Sequence, residues 1–337
     1  LPHPQFEQED DPMPLPQKPV NSPFNARSTA QEVTEAIDLT GKTAIVTGGS
    51  AGLGVETARA LAKAGADIVL PVRSKDKGEA AAADIRETTG AEVETAAMDL
   101  GDYASVRSFA KAFVASGRKL DLLINNAGIM ATPLRRVGNG FESQFGTNHL
   151  GHMLLTCTLA PALLKAGRAR VVELSSIGHR RSPVNFDDPN FQKRPYEKWE
   201  AYGQSKTANS LFAVELNRRL EPKGVFAYAV HPGGIMTELQ RDMSQDEIRA
   251  FGWVDDKGKV NERFKSVAQG AATSCWAATS ALLDAGGGVY CEDCNVAVAL
   301  PADAKDMSGV RPWAIDPEAA RKLWALSETL LGERFEL

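Results

Sequence analysis

From Lys42 onward, short β-branched apolar runs alternate with longer Ala-rich stretches of helical period, and no other feature constrains the fold as strongly. The apolar runs predict strands over 43–47, 67–72, 92–98, 120–124, 170–174, 225–230 and 288–291, with helices in the intervals. Strands separated by helices are joined by crossovers and run parallel. The expected fold class is therefore α/β, a doubly wound, seven-stranded parallel sheet with helices on both faces. Ligands in such sheets sit beyond the carboxyl ends of the strands. Two stretches, 177–199 and 234–266, interrupt the alternation without a Pro- or Gly-rich boundary, so one domain over 36–332 with two insertions is expected. Residues 1–35 are rich in proline and acidic residues, lack a sustained apolar period and read as a flexible arm.

Several partners are excluded by composition. A net charge of −5 and the lack of a dense basic run interleaved with aromatics argue against nucleic acid. No apolar stretch approaches the roughly 18 residues of a membrane span, and the expected location is cytoplasmic. Four cysteines are too sparse for a disulfide framework, and Cys291 and Cys294 lack the second pair of ligands a structural zinc site needs. No metal is expected.

A glycine-rich turn, Thr47-Gly-Gly-Ser-Ala-Gly-Leu-Gly54, follows the first predicted strand and opens an Ala-rich helix. In that context Gly48, Gly52 and Gly54 point to a dinucleotide. Without a Cβ the backbone approaches a pyrophosphate closely, and the helix N-terminus presents free N–H groups to it. The second strand ends at Arg73 rather than at the carboxylate that would hold an NAD ribose, so NADP(H) is favoured over NAD(H). Asp99, after the third strand, can accept from an adenine amino group or cap the helix that follows.

Further along, Tyr202 and Lys206 are one helical turn apart, so phenol and ammonium share a face. Hydride chemistry at a carbinol carbon needs a proton donor or acceptor, and a free phenol near pKa 10 is poorly matched to neutral pH. Lowering it by about three units demands roughly 4 kcal/mol, which a cation about 4 Å away at an effective dielectric near 20 supplies. His149, His152, His179 and His231 have no partner spacing that suggests a metal or a nucleophilic triad, and read as hydrogen-bonded structural histidines.

Together with Asn125-Asn-Ala-Gly128 at the fourth strand's end and Ser176 after the fifth, these motifs resemble the short-chain dehydrogenase/reductase family over about residues 38–331. The GxxxGxG spacing resembles its classical branch, which has a Rossmann-type fold. Val172-Glu-Leu-Ser-Ser-Ile-Gly-His179, the 26-residue step from Ser176 to Tyr202, and Asn185-Phe-Asp-Asp resemble its retinol-dehydrogenase-like and WW-domain-oxidoreductase-like subgroup. The resemblance implies that Asn148, Ser176, Tyr202 and Lys206 are catalytic. Tyr202 would be the acid/base, Lys206 its partner, Ser176 the donor to the substrate oxygen, with Ser175 as fallback, and Asn148 the holder of a relay water. It also implies cofactor contacts from Gly48, Ser50, Gly52, Leu53, Gly54, Arg73, Asp99, Leu100, Asn125, Ala127, Gly128, Tyr202, Lys206, Pro232, Gly233, Ile235 and Thr237. Self-association as a homo-oligomer is a further expectation from the family.

The two interrupting segments carry Phe186, Phe191, Tyr196 and Trp199, and Met236, Leu239, Met243, Ile248, Phe251, Trp253 and Phe264. They predict an apolar pocket for a small hydrophobic alcohol or carbonyl compound. A dinucleotide-sensing scaffold without turnover is the competing reading, though it would dispense with the Tyr202/Lys206 pair. A sugar-nucleotide epimerase or dehydratase would favour another glycine spacing.

Overall fold

The computed structural model describes residues 15–337. Its central sheet comprises β1 (Thr43–Val46), β2 (Asp67–Val72), β3 (Val93–Ala97), β4 (Leu122–Asn125), β5 (Ala169–Leu174), β6 (Val225–His231), β7 (Tyr290–Glu292) and β8 (Asn295–Val296). They lie in the order β8-β7-β6-β5-β4-β1-β2-β3. All seven expected strands form and run parallel, and the eighth is a two-residue antiparallel edge strand. Asp293 and Cys294, both with positive φ (51° and 56°), make the two-residue turn from β7 into β8. Cys291 thus lies in β7 and Cys294 in the hairpin turn, and all four cysteines are buried free thiols.

Period-2 alternation divides the core in two. Ile45 belongs to the layer packed under α3 (Tyr103–Ala115), α4 (Gly151–Lys165), α5 (Lys198–Leu220) and α7 (Pro317–Leu331). Its neighbours Ala44 and Val46 face the opposite layer, under α1 (Gly52–Lys63), α2 (Lys75–Thr89) and α6 (Val267–Thr279). The chain builds β1, β2 and β3 outward, then returns to place β4 on the other side of β1. This reversal opens the crevice where an α/β sheet binds its ligand.

The arm expected over 1–35 is corrected for its described part, while residues 1–14 lie outside the described residues. Gln17 donates from Nε2 to Tyr290 O (2.9 Å) and Ala297 O (2.7 Å) and accepts from Tyr290 N (2.8 Å), and Val20 N donates to Asn295 Oδ1 (2.8 Å). The segment therefore covers the β7/β8 edge, satisfying backbone groups that an open edge would expose. A short helix, Ala30–Thr34, then buries Ala30 and Val33 and is fixed by a Thr29/Glu32 capping box. Among the described residues no helix is long and apolar enough to cross a membrane.

Candidate active site

The carboxyl ends of β1, β2, β4, β5 and β6 open into one cleft of about 1870 Å³. At its dinucleotide end, Thr47 leads from β1 into the glycine turn. Gly48 has φ +68°, and a Cβ on Gly54 would lie 2.3 Å from Gly48 O and 2.7 Å from Asn126 Nδ2. Only hydrogen fits at Gly54. No side chain caps α1, whereas Ser74, Asp102, Glu197, Ser266 and Asp316 cap α2, α3, α5, α6 and α7. The uncapped first turn keeps its N–H groups available at the cleft wall, a fitting seat for pyrophosphate. Gly54→Ala is expected to destabilise the fold by about 1–3 kcal/mol through overpacking. It should also weaken dinucleotide binding, and thermal melts with and without NADPH read both effects.

Gly48, Ser50, Gly52 and Leu53 line this end, as do Arg73, Asp99, Leu100, Ala127, Gly128, Pro232, Gly233, Ile235 and Thr237. Gly54 lies behind that surface. Asp99 does not cap α3: its Oδ1 accepts from Gly101 N (2.8 Å), and Asp102 caps instead. Lys77, in the first turn of α2 beside Arg73, also lines the cleft and was not anticipated. Its signal was Ser74, whose N-cap role places Lys77 one turn into the helix.

The expected contact from Asn125 is a correction. Its Nδ2 donates to Thr156 Oγ1 (2.8 Å) and to the buried Glu173 carboxyl, and Asn125 does not line the cleft. Alternation along the strand instead turns Asn126 to the cleft, where its Nδ2 donates to Thr47 O (2.8 Å) and buttresses the glycine turn.

Deeper in the cleft, Ser176, Tyr202 and Lys206 come together. Ser176 Oγ accepts from Gly178 N (3.0 Å). Ser175 is buried instead, its Oγ donating to Lys206 O (2.8 Å) and accepting from Ser210 Oγ (2.9 Å). Lys206 Nζ donates to Leu174 O (2.8 Å) and stands 5.7 Å from the Tyr202 ring centre. Burial pulls its pKa down to about 8, partly offset by Glu173. The expectation that Lys206 lowers the Tyr202 phenol is corrected for the protein by itself. Burial pushes that phenol up to about 12, against a smaller downward effect of its hydrogen bond with Ser176.

Asn148 lies in a π-helical turn, Gly146–Leu150, that leads into α4. Its side chain is fully engaged, Oδ1 accepting from Ile129 N (2.9 Å) and Nδ2 donating to Ile129 O (2.9 Å) and Ser205 Oγ (3.0 Å). It does not line the cleft. Gly128 separates it from Lys206, since a Cβ there would lie 3.3 Å from Asn148 Oδ1 and 3.6 Å from Lys206 Nζ.

Beyond the phenol, Tyr202 packs in an apolar cluster with Met130, Met243 and Ile248, flanked by Trp199, Met236, Leu239, Phe251 and Trp253. Phe264 packs against Trp253 with the rings tilted at 60° (centroids 5.8 Å). Three aromatics expected in this pocket lie elsewhere. Phe186 joins the main core, while Phe191 and Tyr196 meet edge to face (5.1 Å), with Tyr196 Oη donating to Thr132 O (2.9 Å).

A family model described as short chain dehydrogenase matches residues 42–248. This chain is a short-chain dehydrogenase. The enzyme is 46% identical to a protein named "Probable oxidoreductase" from Streptomyces antibioticus, over 86% of its own length and 97% of the other's. It is 40% identical to retinol dehydrogenase 12 of Mus musculus, over 90% of each chain. A crystal structure of a Mycobacterium paratuberculosis protein, 36% identical, superposes with a TM-score of 0.70 over 90% of this chain and 98% of that one. The dehydrogenase thus belongs to the retinol-dehydrogenase-like group of an NAD(P)-dependent oxidoreductase family acting on CH–OH and C=O groups.

Proposed function

We propose that the dehydrogenase is an NADP(H)-dependent enzyme interconverting bulky hydrophobic carbonyl compounds and their alcohols, with Tyr202 as the acid/base. One observation carries this reading: the Tyr202 phenol sits where the dinucleotide cleft meets the apolar cluster of Met130, Met243, Ile248 and Trp199. A carbonyl compound seated against that cluster would bring its oxygen to the phenol.

The glycine turn and the first turn of α1 would hold the pyrophosphate, and Asp99 and Leu100 would face the adenine. Ala127 and Gly128 would flank the adjoining ribose, and the 232–237 segment the nicotinamide. When bound, the dinucleotide supplies or takes up hydride at the substrate carbon. The chain's own residues handle the oxygen. Tyr202 is protonated at neutral pH, so in the reductive direction its Oη–H donates the proton. Because Ser176 Oγ already accepts from Gly178 N, its O–H is left to donate to the substrate oxygen and fix it. Lys206, charged below about pH 8, provides the positive field that stabilises the phenolate left behind. Asn148 acts through structure, holding the Ile129 backbone beside the cleft.

Arg73 and Lys77 support NADP(H) over NAD(H), as two cations on the wall where a 2′-phosphate would lie. Arg73 makes no ion pair among the described residues, so its guanidinium is available to a phosphate. Arg73→Ala is expected to weaken NADPH about tenfold, the loss of one charge-assisted contact, and to leave NADH within about twofold. Fluorescence titration of both nucleotides measures this, and equal losses would remove the 2′-phosphate assignment.

A further inference from the structure

His179 ends the Val172–His179 motif, and the chemistry above gives it no part. It is fully buried, and every polar atom of its ring and carbonyl has a partner. Nδ1 lies 2.8 Å from Ser176 O and 3.3 Å from Tyr290 Oη, while Nε2 faces the backbone N–H of Arg311 at 3.1 Å. A carbonyl only accepts and an N–H only donates, so the proton is on Nδ1 and Nε2 is bare. The His179 carbonyl accepts from Trp313 Nε1 (3.0 Å) and from Thr207 Oγ1 (3.2 Å), next in sequence to Lys206. On the far side, the buried Arg311 donates from Nη2 to Ala304 O (2.7 Å) and Asp306 O (3.0 Å) and from Nη1 to Ser308 O (3.4 Å). It thereby pins the loop that presents Met307 and Ser308 to the cleft.

We propose that His179 is a positioning residue, a two-ended strut whose Nδ1–H fixes the Ser176 backbone and whose Nε2 ties it, through Arg311, to the 304–308 wall of the substrate cleft. This rests on the role given to Ser176 under the proposed function. With the Ser176 carbonyl anchored, the serine hydroxyl is held at one distance from Tyr202, and the wall that confines the substrate is set in register with it. Small displacements of such a donor have large effects on rate.

The two ends of the ring can be separated by substitution. An asparagine amide nitrogen falls near the position of Nδ1, and a glutamine amide reaches that of Nε2. His179→Asn is expected to keep the Ser176 contact and a kcat within about threefold of the parent enzyme, with a raised KM for bulky ketones as the 304–308 wall loosens. His179→Gln is expected to keep the Arg311 contact and lose about tenfold to hundredfold in kcat. NADPH affinity should be unchanged in both. Peptide-level hydrogen exchange supplies a readout independent of turnover, with faster exchange over 175–181 in the glutamine variant and over 304–311 in the asparagine variant. Equal kcat losses with matching exchange in the two variants, or no change in either, would overturn the strut. A Ser176→Ala enzyme of undiminished kcat would instead overturn the reading beneath it, with the exchange pattern still deciding whether the strut exists.

Discussion

Replacing Tyr202 with phenylalanine is expected to lower kcat by about 10²- to 10⁴-fold, the contribution of a positioned general acid, and to leave NADPH affinity nearly unchanged. The ring is packed among Met130, Met243 and Ile248, with Trp199 edge-on at 6.4 Å, and phenylalanine fills the same volume. Only the hydroxyl is lost. In the parent protein that hydroxyl is buried and protonated, and Ser176 and Lys206 are its polar company. Without it no group at that position donates a proton to a carbonyl oxygen, so the loss should fall on kcat rather than on binding. Rapid mixing of enzyme, NADPH and a bulky aromatic ketone separates the two. Retention of the parental rate would show that proton transfer runs through another group.

The second large effect concerns acid stability. Burial lowers the pKa values of His149 and His231 to about 3 and those of His152 and His179 to about 4, all well below the usual imidazole value. Between those values and about 6.5 the unfolded chain binds protons that the native state refuses, so stability falls as pH falls through this window. Each imidazole taken across its window removes roughly 3–5 kcal/mol. Glu173 works in the opposite direction: burial raises its pKa to about 8, so the native state holds a proton there that the unfolded chain releases. That term destabilises the protein as pH rises toward 8. Net stability of a domain is only about 5–15 kcal/mol, and the four imidazoles together outweigh the one carboxyl by enough to unfold it. Cooperative unfolding is expected between about pH 4 and 5.5, with maximal stability near neutrality. Circular dichroism across an acid titration measures this, and an unchanged thermal midpoint down to pH 4 would refute it. His152→Asn, whose amide nitrogen can still donate to Asn148 O from the Nδ1 position, should shift the acid transition downward.

Much of this was legible because it is local. The parallel strands follow from β-branched runs, the dinucleotide end from glycines directly after a strand, and the Tyr202/Lys206 pair from one helical turn. What escaped the sequence depends on tertiary placement. Asn125 and Asn126 are adjacent and chemically identical, and only the phase of β4 decides that Asn126 faces the cleft while Asn125 meets Thr156 and Glu173. The described part of the N-terminal segment read as an arm because Gln17 finds its partners at Tyr290 and Ala297, far beyond any local period. The aromatics of the 177–199 stretch are alike in composition, yet Trp199 turns to the cleft while Phe186 packs into the core. Charge spacing suggested a lowered phenol, but the desolvation that reverses the sign at Tyr202 is set by surrounding elements that sequence spacing does not reveal.

The most direct test is to mix the purified dehydrogenase with NADPH and a panel of aliphatic, aromatic and polycyclic ketones and aldehydes, quantifying product alcohol beside the loss of nicotinamide absorbance. The account predicts one alcohol formed per NADPH consumed, fastest with bulky hydrophobic carbonyls and far slower with NADH. NADPH that binds tightly while no carbonyl in the panel is reduced would contradict it, and would mark a chain that senses the dinucleotide without turning it over.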